Sequence, residues 1–235
     1  MRDGWIIVTG ASRGIGAAIA ADLAGRGARV AALSRTGQAP VGRGIACDVS
    51  DEAALAAAIE TLSKDGPIVG LVNNAGAHTG GPSATLATGA YEALMRLNAT
   101  AVFVASRLVH PFLVAAGGGT IVNIGSFFDK LGVAENVAYC ASKAAVGAIT
   151  RCLAVEWARD NIRVLNVAPG YIETDLNRDW LASDRAQAML RRRVPTGRAG
   201  KPEEVARLVG CLMAEDIGYL SGETIYLDGA HGINL

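Results

Sequence analysis

Clustered cysteines, metal-spaced histidines and an excess of either charge are all missing from this 235-residue chain. Cys47, Cys140, Cys152 and Cys211 are scattered, with no C-x-x-C pair and none beside a histidine. That spacing excludes a disulfide scaffold and a cysteine-rich metal site, and reads as buried thiols in a reducing compartment. His78, His110 and His231 also lack metal-ligand spacing and read as core or surface residues, so no metal is expected. Lys plus Arg and Asp plus Glu balance at 22 each, so no long-range field draws the chain to nucleic acid or an anionic membrane. No uninterrupted apolar run is long enough to suggest a bilayer span. Met-Arg-Asp-Gly leads straight into WIIV, without the charged and apolar regions of a secretory signal. A cytoplasmic location is the expectation.

What is present is apolar material, 51% of residues, arranged as alternating short runs and alanine-rich segments. Strands are expected at 5–9, 28–33, 43–46, 69–72, 119–124, 162–167 and 224–227. Most are apolar throughout, the mark of strands covered on both faces. Helices are expected near 14–26, 51–64, 89–115, 138–160 and 202–213, with Asp48 and Ser50 as N-cap candidates for the second and Pro202 opening the last. The alternation predicts an α/β, Rossmann-type doubly wound fold: a mostly seven-stranded parallel sheet with helices on both faces. No linker or repeat divides the chain, so residues 1–235 are expected to form one domain. Strand logic fails over 171–200, just after a strand end. Ligands bind at that edge of such sheets, and the segment reads as a substrate lid.

The stretch VTGASRGIG (8–16) joins the first strand to the first helix. Gly10, Gly14 and Gly16 let the backbone turn tightly, and a helix N-terminus presents unpaired N–H groups to a pyrophosphate. Ser12, Arg13 and Ile15 complete the candidate phosphate contacts. The second strand ends in ALSRT, with Ser34 where an NAD site carries a carboxylate, and Arg35 next to it. Two guanidinium groups, Arg13 and Arg35, and no acid favour a 2′-phosphate, hence NADP(H) over NAD(H).

Taken in order, TGASRGIG (9–16), CDVSD (47–51), NNAG (73–76), LNAT (97–100), IVNIGS (121–126), YCASK (139–143), NVAPGYIET (166–174), GRAGKPEEVA (197–206) and SGETIYLDG (221–229) resemble the single-domain short-chain dehydrogenases/reductases over nearly the whole length. The overall pattern looks most like the 3-oxoacyl-carrier-protein reductase type. The resemblance implies a catalytic tetrad of Asn98, Ser126, Tyr139 and Lys143. Tyr139 would exchange a proton with the substrate oxygen, and Lys143, one turn along the same helix, would lower the phenol pKa and hold the nicotinamide ribose. Ser126 would position the substrate oxygen, and Asn98 would bind a water that resupplies protons. For the cofactor, Asp48 and Val49 would flank the adenine. Asn74, Ala75 and Gly76 would run under the ribose, whereas Asn73 would tie strands together. Pro169, Gly170, Ile172 and Thr174 would bracket the nicotinamide.

Phe127, Phe128, Val133, Asn136, Tyr171, Leu176, Trp180 and Met189 are the candidate substrate contacts. They are largely apolar, which suits an uncharged or thioester-linked ketone better than a bare carboxylate. A carrier-protein substrate needs a basic patch, yet VAAGGG (114–119) contains no base. Arg159 and Arg163 are the candidate replacements, while RRR (191–193) reads as a solvated helix end. The resemblance further implies a homotetramer or homodimer built on the two long helices. Ala230 departs from a second glycine that many relatives carry after DG. The expected activity is NADP(H)-linked carbonyl reduction or alcohol oxidation. The alternatives are an NAD-linked dehydrogenase of a small or cyclic hydroxy compound and a non-catalytic dinucleotide-binding redox sensor.

Overall fold

The computed structural model describes residues 2–175, 177–215 and 217–234. Among these, the apolar runs form β1 (Trp5–Thr9), β2 (Arg29–Ser34), β3 (Arg43–Ala46), β4 (Ile68–Asn73), β5 (Gly119–Ile124), β6 (Ile162–Pro169) and β7 (Thr224–Leu227). They make one sheet in the order β3-β2-β1-β4-β5-β6-β7, with every neighbouring pair parallel. β1, β4 and β5 are buried at every residue, as strands with both faces covered must be. Chain order reverses between β1 and β4, which opens a crevice beyond their carboxyl ends.

The helices are α1 (Gly14–Gly25), α2 (Glu52–Ser63), α3 (Thr88–Met95), α4 (Ala101–Ala115), α5 (Val137–Glu156), α6 (Arg178–Ala182), α7 (Asp184–Arg193) and α8 (Pro202–Ala214). α1 and α8 cover one face of the sheet, where Ile19, Leu23, Val205 and Val209 meet Ile6, Val8 and Val122. α2, α4 and α5 cover the other, where Leu55, Ile59, Val109 and Leu153 meet Ile7, Leu71 and Ile121. Burying each such side chain contributes roughly 1.5–3 kcal/mol before the entropy of ordering it.

Several expected boundaries move. Asp51, not Asp48 or Ser50, caps α2: its carboxylate accepts from the Ala54 N–H at 3.1 Å, while Asp48 accepts from Ser50 in the preceding turn. A capping side chain must reach the N2 or N3 amide, and only Asp51 stands at that distance. The expected helix at 89–115 is broken by a π-helical turn, Arg96–Thr100, between α3 and α4. Within Thr88–Ala115 an 18-residue window reaches mean hydropathy 1.4, although Glu92, Arg96 and Arg107 interrupt the segment. Half of that window is buried inside the fold, and α4 packs on β4 and β5. α5 stops at Glu156, and Asn161 in left-handed conformation (φ 58°) turns the chain into β6.

Residues 171–200 contain α6 and α7 over a small core of Leu181, Leu190 and Val194. The base of this excursion is pinned. Gly200 N–H donates to Tyr171 O at 2.8 Å, and Glu173 N–H donates to Gly200 O at 2.9 Å.

Candidate active site

The glycine loop lies where β1 ends. Gly10 (φ 65°) and Gly14 (φ 56°) occupy left-handed conformations. Gly16 has no room for a side chain: an added Cβ would sit 2.3 Å from Gly10 O and 2.4 Å from Asn74 Nδ2. α1 starts without a capping side chain and without an acid in its first turn. The N–H groups of Gly14, Ile15 and Gly16 have no protein partner among the described residues. Three unpaired amides at the positive end of a helix fit a pyrophosphate. Ser12 is half-buried and Arg13 exposed on the same loop. A cleft of about 480 Å³ opens beside it, lined in part by Gly14, Ala17, Thr174, Arg178 and Lys201.

Asn74 has its side chain engaged within the protein. Its amide donates to Thr9 O at 2.9 Å and Gly10 O at 3.2 Å, and its backbone N–H meets Thr9 Oγ1 at 3.0 Å. It is a staple joining β4 to the glycine loop, with Ala75 and Gly76 following it. Asn73 ties strands as expected, donating to Asn123 Oδ1 at 2.9 Å, and Asn123 in turn donates to Thr150 at 2.9 Å. At the end of β2, Ser34 donates to Gln38 O at 3.0 Å, and Arg35 is exposed next to it. Asp48 is exposed and Val49 buried beyond β3.

Ser126, Tyr139, Lys143 and Asn98 come together at the carboxyl end of β5. Ser126 is buried and lies close enough to the Tyr139 phenol to favour its ionised form as a hydrogen-bonding neighbour. Lys143, only 6% exposed, donates from Nζ to Ile124 O at 2.8 Å, 5.8 Å from the centre of the Tyr139 ring. Burial pulls the ammonium down from 10.5 to about 8. The phenol is held above its ordinary value, first by burial, with the Ser126 hydrogen bond opposing. Desolvation of the ring dominates, and Lys143 is not among the groups that move this phenol. Asn98 brackets Ala77, accepting from its N–H at 2.9 Å and donating to its carbonyl at 2.9 Å, and also reaches Ser142 Oγ at 3.1 Å. The π-helical turn carries this asparagine, a local irregularity common at functional sites.

Pro169 ends β6 and is buried, and the next residue, Gly170, passes so close to Asp228 that a Cβ would lie 2.8 Å from its Cα. The Ile172 N–H has no partner among the described residues, whereas its carbonyl accepts from Asn177 at 2.9 Å. Asn177 also accepts from Thr174 N at 2.7 Å, which sets Thr174 within 3.6 Å of where a Gly14 side chain would lie.

Aromatic rings form an arc at this site. Ring centres separate by 5.8 Å for Tyr139–Phe128, 4.7 Å for Phe128–Phe127, 5.4 Å for Phe127–Tyr171 and 6.0 Å for Tyr171–Trp180. Met189 packs instead inside the excursion's own core, and Val133 turns the chain ahead of α5, accepting from Asn136 N–H. Leu176 lies outside the described residues. Two histidines read from the sequence as core or surface extend the arc: His78 meets Tyr139 at 4.7 Å and His231 meets Phe127 at 4.9 Å. Neither has a spacing signal, because each reaches the site only through the folded sheet edge.

The family described as enoyl-(acyl carrier protein) reductase matches residues 10–231. D-threitol dehydrogenase of Mycolicibacterium smegmatis is 34% identical over 240 residues, spanning 97% of this chain and 92% of that protein. The 3-oxoacyl-[acyl-carrier-protein] reductase MabA of Mycobacterium tuberculosis is 35% identical over 230 residues, with the same two coverages, 97% and 92%. The chain belongs to the short-chain dehydrogenase/reductase family. It is thereby a member of an oxidoreductase family with relatives of differing substrate. Among solved members, gluconate 5-dehydrogenase from Burkholderia cenocepacia in complex with NADP and tartrate superimposes with TM-score 0.92 at 31% identity, covering 100% of this chain and 97% of that one. Aldohexose dehydrogenase from Thermoplasma acidophilum gives 0.93 at 31% identity, covering 100% and 96%.

Proposed function

We propose that this dehydrogenase/reductase exchanges hydride between NADP(H) and a carbonyl/alcohol pair, either a ketone or a 3-oxoacyl thioester in the reducing direction. The observation that carries the reading is the meeting of Ser126, Tyr139 and Lys143 beside a glycine loop whose amides are unpaired. The dinucleotide, when bound, supplies or accepts hydride at nicotinamide C4. Ser126 holds the substrate oxygen next to the phenol. Tyr139 gives that oxygen its proton during reduction and takes it back during oxidation. Burial keeps the phenol protonated near neutral pH, the state that reduction requires. Lys143 orients the ribose, and Asn98 holds Ala77 in place and binds the water that returns the proton.

Three features support NADP(H). No carboxylate stands at the end of β2, Arg13 and Arg35 are exposed at that edge, and the similar B. cenocepacia enzyme holds NADP. Two guanidinium groups suit a phosphate, whereas Ser34 offers the ribose no acid. The pinned excursion 171–200 acts as the lid of a one-domain enzyme. A cytoplasmic homotetramer or homodimer forms through α4 and α5, whose Phe103 (40% exposed) and Val155 (82%) stand out as exposed apolar side chains. The carrier-protein form of the substrate loses one support, because Arg163 donates to Thr120 Oγ1 and to Leu212 O and Glu215 O at the end of α8. That guanidinium braces the sheet to a helix end and is not part of a docking patch.

The test is dinucleotide consumption over a panel of 3-oxoacyl thioesters, cyclic ketones, aldehydes and alcohols, with NADPH against NADH. Turnover is expected with NADPH, and Tyr139→Phe is expected to abolish it while dinucleotide binding persists. Tight NADPH binding without turnover on any substrate would favour a redox sensor and overturn the catalytic reading.

A further inference from the structure

The substrate pocket has a polar wall that the catalytic residues do not account for. His78 stands on the loop after β4, and that loop is bolted on both sides of it. On one side Asn98 brackets Ala77 by two hydrogen bonds, both 2.9 Å. On the other, Gly81 N–H donates to Glu135 O at 2.7 Å, and Gly80 approaches so closely that a Cβ would lie 3.2 Å from the same carbonyl. The imidazole is therefore held in place although it is exposed. It meets the Tyr139 ring edge-on, with 4.7 Å between centres and 80° between planes.

Its hydrogen bonding fixes its tautomer. His78 Nε2 lies 2.6 Å from Asn136 Oδ1. The Asn136 amide is oriented by its other end, where Nδ2 donates to Ala134 O at 2.8 Å. The oxygen facing His78 can only accept, so Nε2 carries the hydrogen. In the neutral ring Nδ1 is then a bare lone pair, and it has no partner among the described residues. With Nε2 donating to Asn136, Nδ1 is the acceptor on a ring that lies against Tyr139. A plain carbonyl, ester or thioester brings only acceptors and cannot satisfy it. A hydroxyl can.

We propose that His78 is a specificity-determining residue that accepts a hydrogen bond from a second hydroxyl of the substrate, close to the carbon undergoing hydride transfer. The substrate class is then hydroxy ketones and the diols or polyols they interconvert with. The ring arc supplies a fitting opposite wall, because Phe128, Tyr171 and Trp180 offer flat faces for the C–H groups of such a compound. Because the imidazole is exposed, water meets its acceptor when the hydroxyl is absent, so the preference is that of one net hydrogen bond. This inference rests on the catalytic role proposed for Tyr139.

The test compares matched pairs: 3-hydroxy-2-butanone with 2-butanone, and trans-cyclohexane-1,2-diol with cyclohexanol. Wild type, His78→Phe, His78→Gln and Tyr139→Phe are assayed for kcat and KM on each member. His78→Phe keeps a ring against Tyr139 and removes the acceptor, whereas His78→Gln keeps an acceptor. Wild type is expected to favour the hydroxylated member. His78→Phe should lower the hydroxylated-to-plain ratio of kcat/KM by about tenfold, the size of one lost hydrogen bond, mainly through KM. His78→Gln should recover part of that ratio. Equal losses on both members, or no preference in wild type, would overturn the role of His78 while leaving the catalytic reading intact. Absence of turnover on every pair, with Tyr139→Phe indistinguishable from wild type, would overturn both.

Discussion

Removing the lysine of the site should stabilise the protein while destroying its activity. Lys143 is buried, and among the described residues no carboxylate pairs with it; its printed hydrogen bond runs to the Ile124 carbonyl. Burial lowers its pKa from 10.5 to about 8. Holding the charged form in that place costs roughly 3 kcal/mol relative to water. Lys143→Met removes this cost and forfeits the bond to Ile124, worth about 1–2 kcal/mol. The variant should gain roughly 1–2 kcal/mol at pH 7, raising Tm by about 3–6 °C. The pH dependence gives the sharper reading. Because the folded pKa lies below the unfolded one, the unfolded chain holds a proton that the folded chain has lost between about pH 8 and pH 10.5. Wild-type stability contributed by this group therefore rises with pH across that window, and the advantage of Lys143→Met should shrink from pH 7 to pH 10. Thermal or denaturant unfolding without dinucleotide, at fixed protein concentration, measures both. A variant less stable than wild type at pH 7, or a difference that ignores pH, refutes the argument that desolvation governs this ammonium.

Two further substitutions probe the sequence departures. Arg35→Ala should raise KM for NADPH by about tenfold and leave KM for NADH nearly unchanged, as steady-state kinetics with each dinucleotide would reveal; equal effects on both would mean that Arg35 does not meet the 2′-phosphate. Ala230→Gly should stabilise by about 0.5–1 kcal/mol, because Ala230 adopts a left-handed backbone (φ 67°) that a Cβ disfavours. A Tm unchanged or lowered by that substitution would contradict the strain.

The seven strands and their parallel arrangement were readable from apolar runs because burial on both faces leaves a composition signal in every strand. Ser126, Tyr139 and Lys143 were singled out through the resemblance to the short-chain dehydrogenases/reductases, since Tyr and Lys one turn apart are common on any helix. Of α6 and α7 only the basic end of α7, RRR (191–193), was read as helical, since the small core of Leu181, Leu190 and Val194 holds them and no extended periodic pattern marks them. The Asn74 amide meets Thr9 and Gly10 more than 60 positions away, a contact that no local pattern encodes.

The sequence by itself determined the doubly wound layers and the glycine-rich turn, which depend on local composition and short fixed spacing, and its family motifs singled out the proposed proton-transfer residues. Only the tertiary structure decided that burial governs the Tyr139 phenol, that Arg163 braces a helix end, and that His78 and His231 join the aromatic arc. Desolvation and contacts between remote segments exist only once the chain has closed around them, so no window of sequence carries their sign.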